Sequence, residues 1–191
     1  MGKELNEMTL DELWQLFPIS LVGQKEEWQQ WYKEIKQELK EQIPDKAIYS
    51  VNHIGSTAIN GIQAKNIVDV LVELTPETDL SMIAKKLSAH EYMIMSTEGN
   101  RVSLNKGYTK NGFAKKVYHI HLRHAGDKDE VLFRDFLNAH PEIAAEYEAL
   151  KIELSKKFKH DRDAYTDAKG DFVKKWTAIA RKKGSKKPQV R

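Results

Sequence analysis

The sequence predicts an α/β (α+β) protein: a mixed β-sheet of four or five strands with helices before and after it, and a helical C-terminal third. Three observations carry that prediction. Trp28, Trp31, Ile35, Leu39 and Ile43 recur at intervals of three and four, which puts them on one face of a long helix. Residues 67–74 (IVDVLVEL) form a β-branched run of strand length that carries Asp69. Beyond Asp127 the helical spacing returns, first through Ile143, Tyr147, Leu150 and Leu154, then through Tyr165, Phe172, Trp176 and Ile179.

Taken in order, Thr9 and Glu12 have the spacing of a capping box, which opens a short helix through Leu10, Leu13 and Trp14 that Pro18 stops. Ile19 to Val22 reads as a short edge strand. The long helix runs from Gln24 to about Gln42 and ends at Pro44, a strand covers residues 47–54 (AIYSVNHI), and GSTAINGIQAKN is a turn-rich connector to the Asp69 strand. Thr78 or Asp79 caps the next helix, through Leu80, Ile83 and Leu87. Strands follow near residues 92–96, 101–105 and 115–122, with Gly99 and Gly107 supplying the turns between them. No internal repeat is present. The expected organisation is one domain over residues 1–180, with its α/β core at about 19–125 and its helical part at about 127–180.

A chain of 191 residues buries a proper core without disulfide or metal staples. Its composition, 40% apolar and 31% charged with 10 Gly and 5 Pro, excludes collagen-like and wholly disordered classes. Cysteine is absent, which removes disulfides, thiolate zinc sites, iron–sulfur clusters and cysteine nucleophiles and suits a reducing cytoplasm. Neither a signal-peptide core at the start nor a run of ~20 apolar residues is found, so the expectation is a soluble, cytoplasmic protein with no membrane partner. The net charge is +3, yet residues 181–191 (RKKGSKKPQVR) hold six basic residues and no acid. That segment reads as a flexible, solubilising tail, and nucleic acid is not expected as a partner.

Chemistry concentrates in residues 53–70, HIGSTAINGIQAKNIVDV, which join a strand, a Gly-Ser turn and a second strand bearing a carboxylate. Gly55 permits close backbone approach, and Ser56 and Thr57 add hydroxyls beside exposed N–H groups, a combination able to cradle phosphate. Asp69 is a hard oxygen ligand for a divalent metal. Lys65 and Arg101 are candidates to reach phosphate, and His53 either bonds a strand end or joins the site. His119 and His121 alternate onto one strand face, so Asp69, His119 and His121 form a candidate metal set, with His121 as ligand or base. In the helical third, Arg134 and Asp135 are placed for an internal ion pair, while Lys151 and Lys169 either join such pairs or face the cleft. The aromatic residues at helical spacing read as core.

The motif HIGSTAINGIQAKNIVD resembles the signature of the GrpB family, and three further stretches agree with it: HIHLRH at 119–124, LFRDFLNAHPEIAAEYEALK at 132–151 and YTDAKGDFV at 165–173. The resemblance implies a nucleotidyltransferase-like fold, with the Gly55–Thr57 turn on a nucleotide or other phosphate-bearing ligand. It further implies Mg²⁺ or Mn²⁺ near Asp69 and transfer of a nucleotidyl group as the candidate reaction. A similar domain is fused to some dephospho-coenzyme A kinases, so a catalytically inactive regulatory module linked to coenzyme A metabolism is the alternative. Two-metal nucleotidyl transfer asks for a second carboxylate two residues after the first. Position 71 is leucine, and Glu73 lies about 13 Å along the strand from Asp69, too far to share an ion.

Overall fold

The computed structural model describes residues 3–184. Helix α1 (Leu10–Leu16) opens with the expected capping box, the Thr9 hydroxyl accepting from the Glu12 N–H and the Glu12 carboxylate accepting from the Thr9 N–H. Helix α2 (Glu27–Gln42) presents Trp28, Trp31, Ile35 and Leu39 as its buried face. Strands β1 (Ile48–Ile54) and β2 (Val68–Leu74) flank a single 3-10 turn at Ser56–Ala58. Helix α3 (Leu80–Ser88) is capped by the Asp79 carboxylate, which accepts from the N–H groups of Ser81 and Met82. Strands β3 (Met93–Glu98), β4 (Arg101–Thr109) and β5 (Gly112–His124) complete the sheet. Helices α4 (Asp129–Ala139), α5 (Pro141–Lys157), α6 (Arg162–Ala168) and α7 (Gly170–Gly184) form the helical third.

The five strands lie in the order β1-β2-β5-β4-β3, antiparallel except for the parallel pair β2–β5. This is the mixed sheet between helices that the resemblance implies. On one face α2 and α3 close a continuous apolar core with Val68, Val70, Val72 and Leu74 of β2 and Val102, Leu104, Ile120 and Leu122 of β4 and β5. Over the other face the helical layer has its own apolar cluster around Phe133, Phe136, Leu137 and Tyr147, and a cavity remains between that layer and the sheet.

Three local expectations are corrected. Residues 19–22 form no strand; Val22 alone makes a bridge, to Ala64. Gly107 is not a turn residue but sits inside β4 at φ +88°, beside a register shift between Lys106 and Tyr108. A Cβ there would lie 2.2 Å from the Lys116 carbonyl oxygen, so only glycine permits the bulge. Because the chain passes through it, β4 and β5 run on to a tip at residues 110–111. Third, residues 181–184, read as the start of the tail, continue α7; residues 185–191 lie outside the described residues. None of the described helices is long and apolar enough to cross a membrane.

Candidate functional site

The parallel pairing of β2 with β5 sets Asp69 opposite His119 and Leu71 opposite His121. All three polar side chains face the helical layer, because their alternation is that of one strand face. The His119 Nδ1 lies 3.1 Å and the His121 Nε2 3.5 Å from the same Asp69 oxygen, Oδ1. The other carboxylate oxygen packs against the turn. Gly55 has φ +70°, and a Cβ on it would come within 2.4 Å of Asp69 Oδ2. The turn and the carboxylate are therefore seated directly on one another, which only glycine allows.

His119 is engaged at both nitrogens. Its Nε2 is 2.7 Å from the Tyr108 hydroxyl, which in turn accepts from the Arg162 guanidinium at 2.9 Å. Burial pushes the Tyr108 phenol up to about 12, so it stays protonated and donates to Nε2. Burial likewise holds the His119 imidazole below its ordinary value against the opposing pull of Asp69. The network thus assigns a neutral ring donating from Nδ1 to Asp69. Burial works against ionisation of Asp69 too, but the bonds to His119 and His121 outweigh it and keep the carboxylate charged well below the usual range.

The cavity, about 730 Å³, runs from the Gly55–Thr57 turn and Asp69 to α6 and α7, a size suited to a nucleotide. Lys65, Lys151, Arg162 and Lys169 line it. Lys65 and Lys169 stand over the same ring, that of Tyr165, at 5.6 and 4.2 Å from its centroid. Burial is the main cause that brings the lysines down, Lys65 and Lys151 to about 7 and Lys169 to about 8; neighbouring cations add to it. Lys151, only 1% exposed, donates to the Gln63 carbonyl.

The other sequence-derived candidates divide. Ser56 lines the cavity and hydrogen-bonds the buried Tyr147 phenol. Thr57 is buried, its hydroxyl 2.9 Å from His53 Nε2. His53 stacks on Tyr32, and its Nδ1 has no partner among the described residues; burial holds its pKa down at about 4. Arg101 sits at the cavity mouth in a two-point pair with Asp127, at 2.8 and 2.9 Å. Arg134 bonds its own helix neighbour Asp135 and the His53 carbonyl, so it ties α4 to β1 and does not pair helices together. Glu73 is spent structurally, accepting from Ser50 and from the Gly126 N–H.

The metal expectation meets a poor fit. Leu71, fully buried, stands where a second acid belongs, the two imidazoles point at the carboxylate oxygen, and Tyr108 takes the remaining nitrogen of His119. Among the described residues no group of three His, Cys, Asp or Glu side chains is placed to hold an ion. These residues do not fit a two-ion catalytic site. Tyr108 and Arg162, which sequence reasoning missed, carry no spacing signal; they reach the site only through the β4 extension and the α5–α6 corner.

The sequence profile described as GrpB protein matches residues 18–178. The chain belongs to the GrpB family. It is 30% identical over 159 residues to the UPF0157 protein YqkA of Bacillus subtilis, covering 82% of this chain and 45% of that protein. The chain therefore spans less than half of YqkA. The glutamate-rich protein GrpB of Alkalihalophilus pseudofirmus is 30% identical over 161 residues, 81% of this chain and 91% of its own length. Among solved structures, the conserved protein GrpB from Enterococcus faecalis superimposes with a TM-score of 0.74 at 26% identity, covering 87% of this chain and all of that one. The GrpB domain thus extends from the segment after α1 to within α7, and takes in every residue lining the cavity except Arg181.

Proposed function

We propose that this GrpB-family chain binds a nucleotide, or a closely related phosphate ester, in the cavity between the sheet and the helical layer. One observation carries the reading: Lys65, Arg162 and Lys169 line a nucleotide-sized cavity that the Gly55–Ser56 turn closes at its other end. The turn offers backbone N–H groups and the Ser56 hydroxyl to a phosphate, and the three cations supply charge. Binding is favoured over nucleotidyl transfer because Leu71 denies the second carboxylate that such transfer uses.

Titration calorimetry of nucleoside mono-, di- and triphosphates and of coenzyme A precursors, with and without Mg²⁺ or Mn²⁺, tests the reading. At least one should bind the wild type, and Lys169→Met should weaken it roughly tenfold, the worth of one charge-assisted hydrogen bond. Failure of every such ligand to bind, or equal binding by the variant, overturns the proposal. Metal-dependent consumption of a nucleoside triphosphate that Asp69→Ala abolishes would instead establish transfer.

A further inference from the structure

The cavity holds an imbalance of charge. Lys65, Lys151, Arg162 and Lys169 lie about Asp69, which already accepts from two imidazoles, and the exposed Lys174 and Asp163 also line the wall. The acids nearer the mouth are taken: Asp129 pairs with Arg181, Glu130 with Arg123 at 3.5 Å, and Asp127 with Arg101. Among the described residues Lys65 and Lys169 make no ion pair or hydrogen bond with a carboxylate; they stand over the Tyr165 ring and feel Asp69 only at longer range. Arg162 spends its bonds on the Phe17 carbonyl and the Tyr108 hydroxyl, both neutral.

Partly buried cations without counter-charges cost folding free energy, and a fold keeps such a cluster where a ligand repays the cost. The repayment is greatest for a ligand carrying several negative charges close together. A divalent ion on that ligand would remove charge from it and add another cation beside these. It would also find no open ligand set, for the reasons given for Leu71 and His119.

We propose that the site takes a fully ionised polyphosphate group, a pyrophosphate or triphosphate, free of divalent metal, with Lys65, Arg162 and Lys169 standing in for Mg²⁺. This rests on the phosphate-binding reading above and specifies the ionic form of the ligand. Two consequences follow from charge alone: affinity rises from phosphate to pyrophosphate to triphosphate, and excess Mg²⁺ weakens it.

The probes are inorganic phosphate, pyrophosphate and tripolyphosphate, titrated by calorimetry into the full chain in EDTA and again in excess Mg²⁺. Expected are binding of tripolyphosphate in EDTA, weaker binding in Mg²⁺, and losses of roughly tenfold for Lys65→Met and for Lys169→Met. Circular dichroism of both variants establishes that they fold, and Lys169→Gln repeats the test with a polar side chain. Binding that appears only with Mg²⁺ overturns the inference and leaves the phosphate site standing. Metal-free binding unaffected by all three variants overturns its location. Binding of no probe and no nucleotide, with or without metal, overturns both readings.

Discussion

Along β2 the two faces alternate residue by residue. Val68, Val70, Val72 and Leu74 are fully buried in one apolar core with α2 and α3, whereas Asp69, Leu71 and Glu73 face the helical layer. On the first face every side chain contributes burial, and the Trp28 indole N–H, at its edge, is matched by Asn66 at 2.8 Å. On the second, two identical carboxyl groups end differently. Glu73 stitches β1 to the turn after β5, while Asp69 stays among imidazoles at the floor of a cavity lined with cations. One side of the sheet is held to its helices by apolar burial, and on the other an apolar cluster shares the space with a cavity lined by charge.

The contrast breaks most visibly at the apolar face. Trp28→Ala removes a side chain that is 1% exposed and leaves Asn66 without its donor, so urea unfolding should show a loss of about 3–5 kcal/mol. A loss below ~1 kcal/mol would deny that this face carries the fold.

The second effect is one of pH. His53 takes up a proton near the ordinary value of 6.5 in the unfolded chain but only at about 4 in the folded one. Acidification through that window therefore draws protons to the unfolded state and removes stability, on the order of 3 kcal/mol in full. Urea midpoints between pH 7 and pH 4 should fall, and His53→Gln should flatten the slope; an unchanged slope would place the titration elsewhere.

The cavity face predicts a change of opposite sign. Burial favours the uncharged form of Lys169, so Lys169→Met should raise the melting temperature of the free protein by the equivalent of about 1–2 kcal/mol while it weakens phosphate binding. A variant that melts lower would mean that the lysine stabilises the fold. Smallest is Arg101→Ala. Its pair with Asp127 is half exposed, the arginine side chain at 51%, so the loss should stay within ~1 kcal/mol and tripolyphosphate affinity should hardly move. A large loss of affinity would return Arg101 to the phosphate site.

These differences follow how much of each region could be read from residue order. The apolar face is a matter of period, and the α2 stripe, the α3 cap at Thr78 or Asp79 and the β2 run were all legible because each is a local pattern. Gly55, Ser56, Lys65, Asp69, His119 and His121 were legible as one cluster because they lie on two adjacent strands, the turn that follows β1 and the connector that leads into β2. Tyr108 and Arg162 were not. Tyr108 belongs to the site because the Gly107 bulge lets β4 continue, and a glycine between polar residues reads equally as a turn. Arg162 enters from across the cavity, a distance that no spacing encodes. The two histidines were legible as a pair but not in their role, since which nitrogen faces which partner depends on a tyrosine brought in by the bulge.

The line of bonds from Arg162 through Tyr108 and His119 to Asp69 spans the gap between helices and sheet. An anion that claims the guanidinium withdraws a donor from the phenol oxygen and leaves the phenol's own bond to His119 Nε2 in place. The tautomer of His119 is thereby held from two sides, by a tyrosine on β4 and an aspartate on β2, and the nitrogen resonances of that single ring would report it.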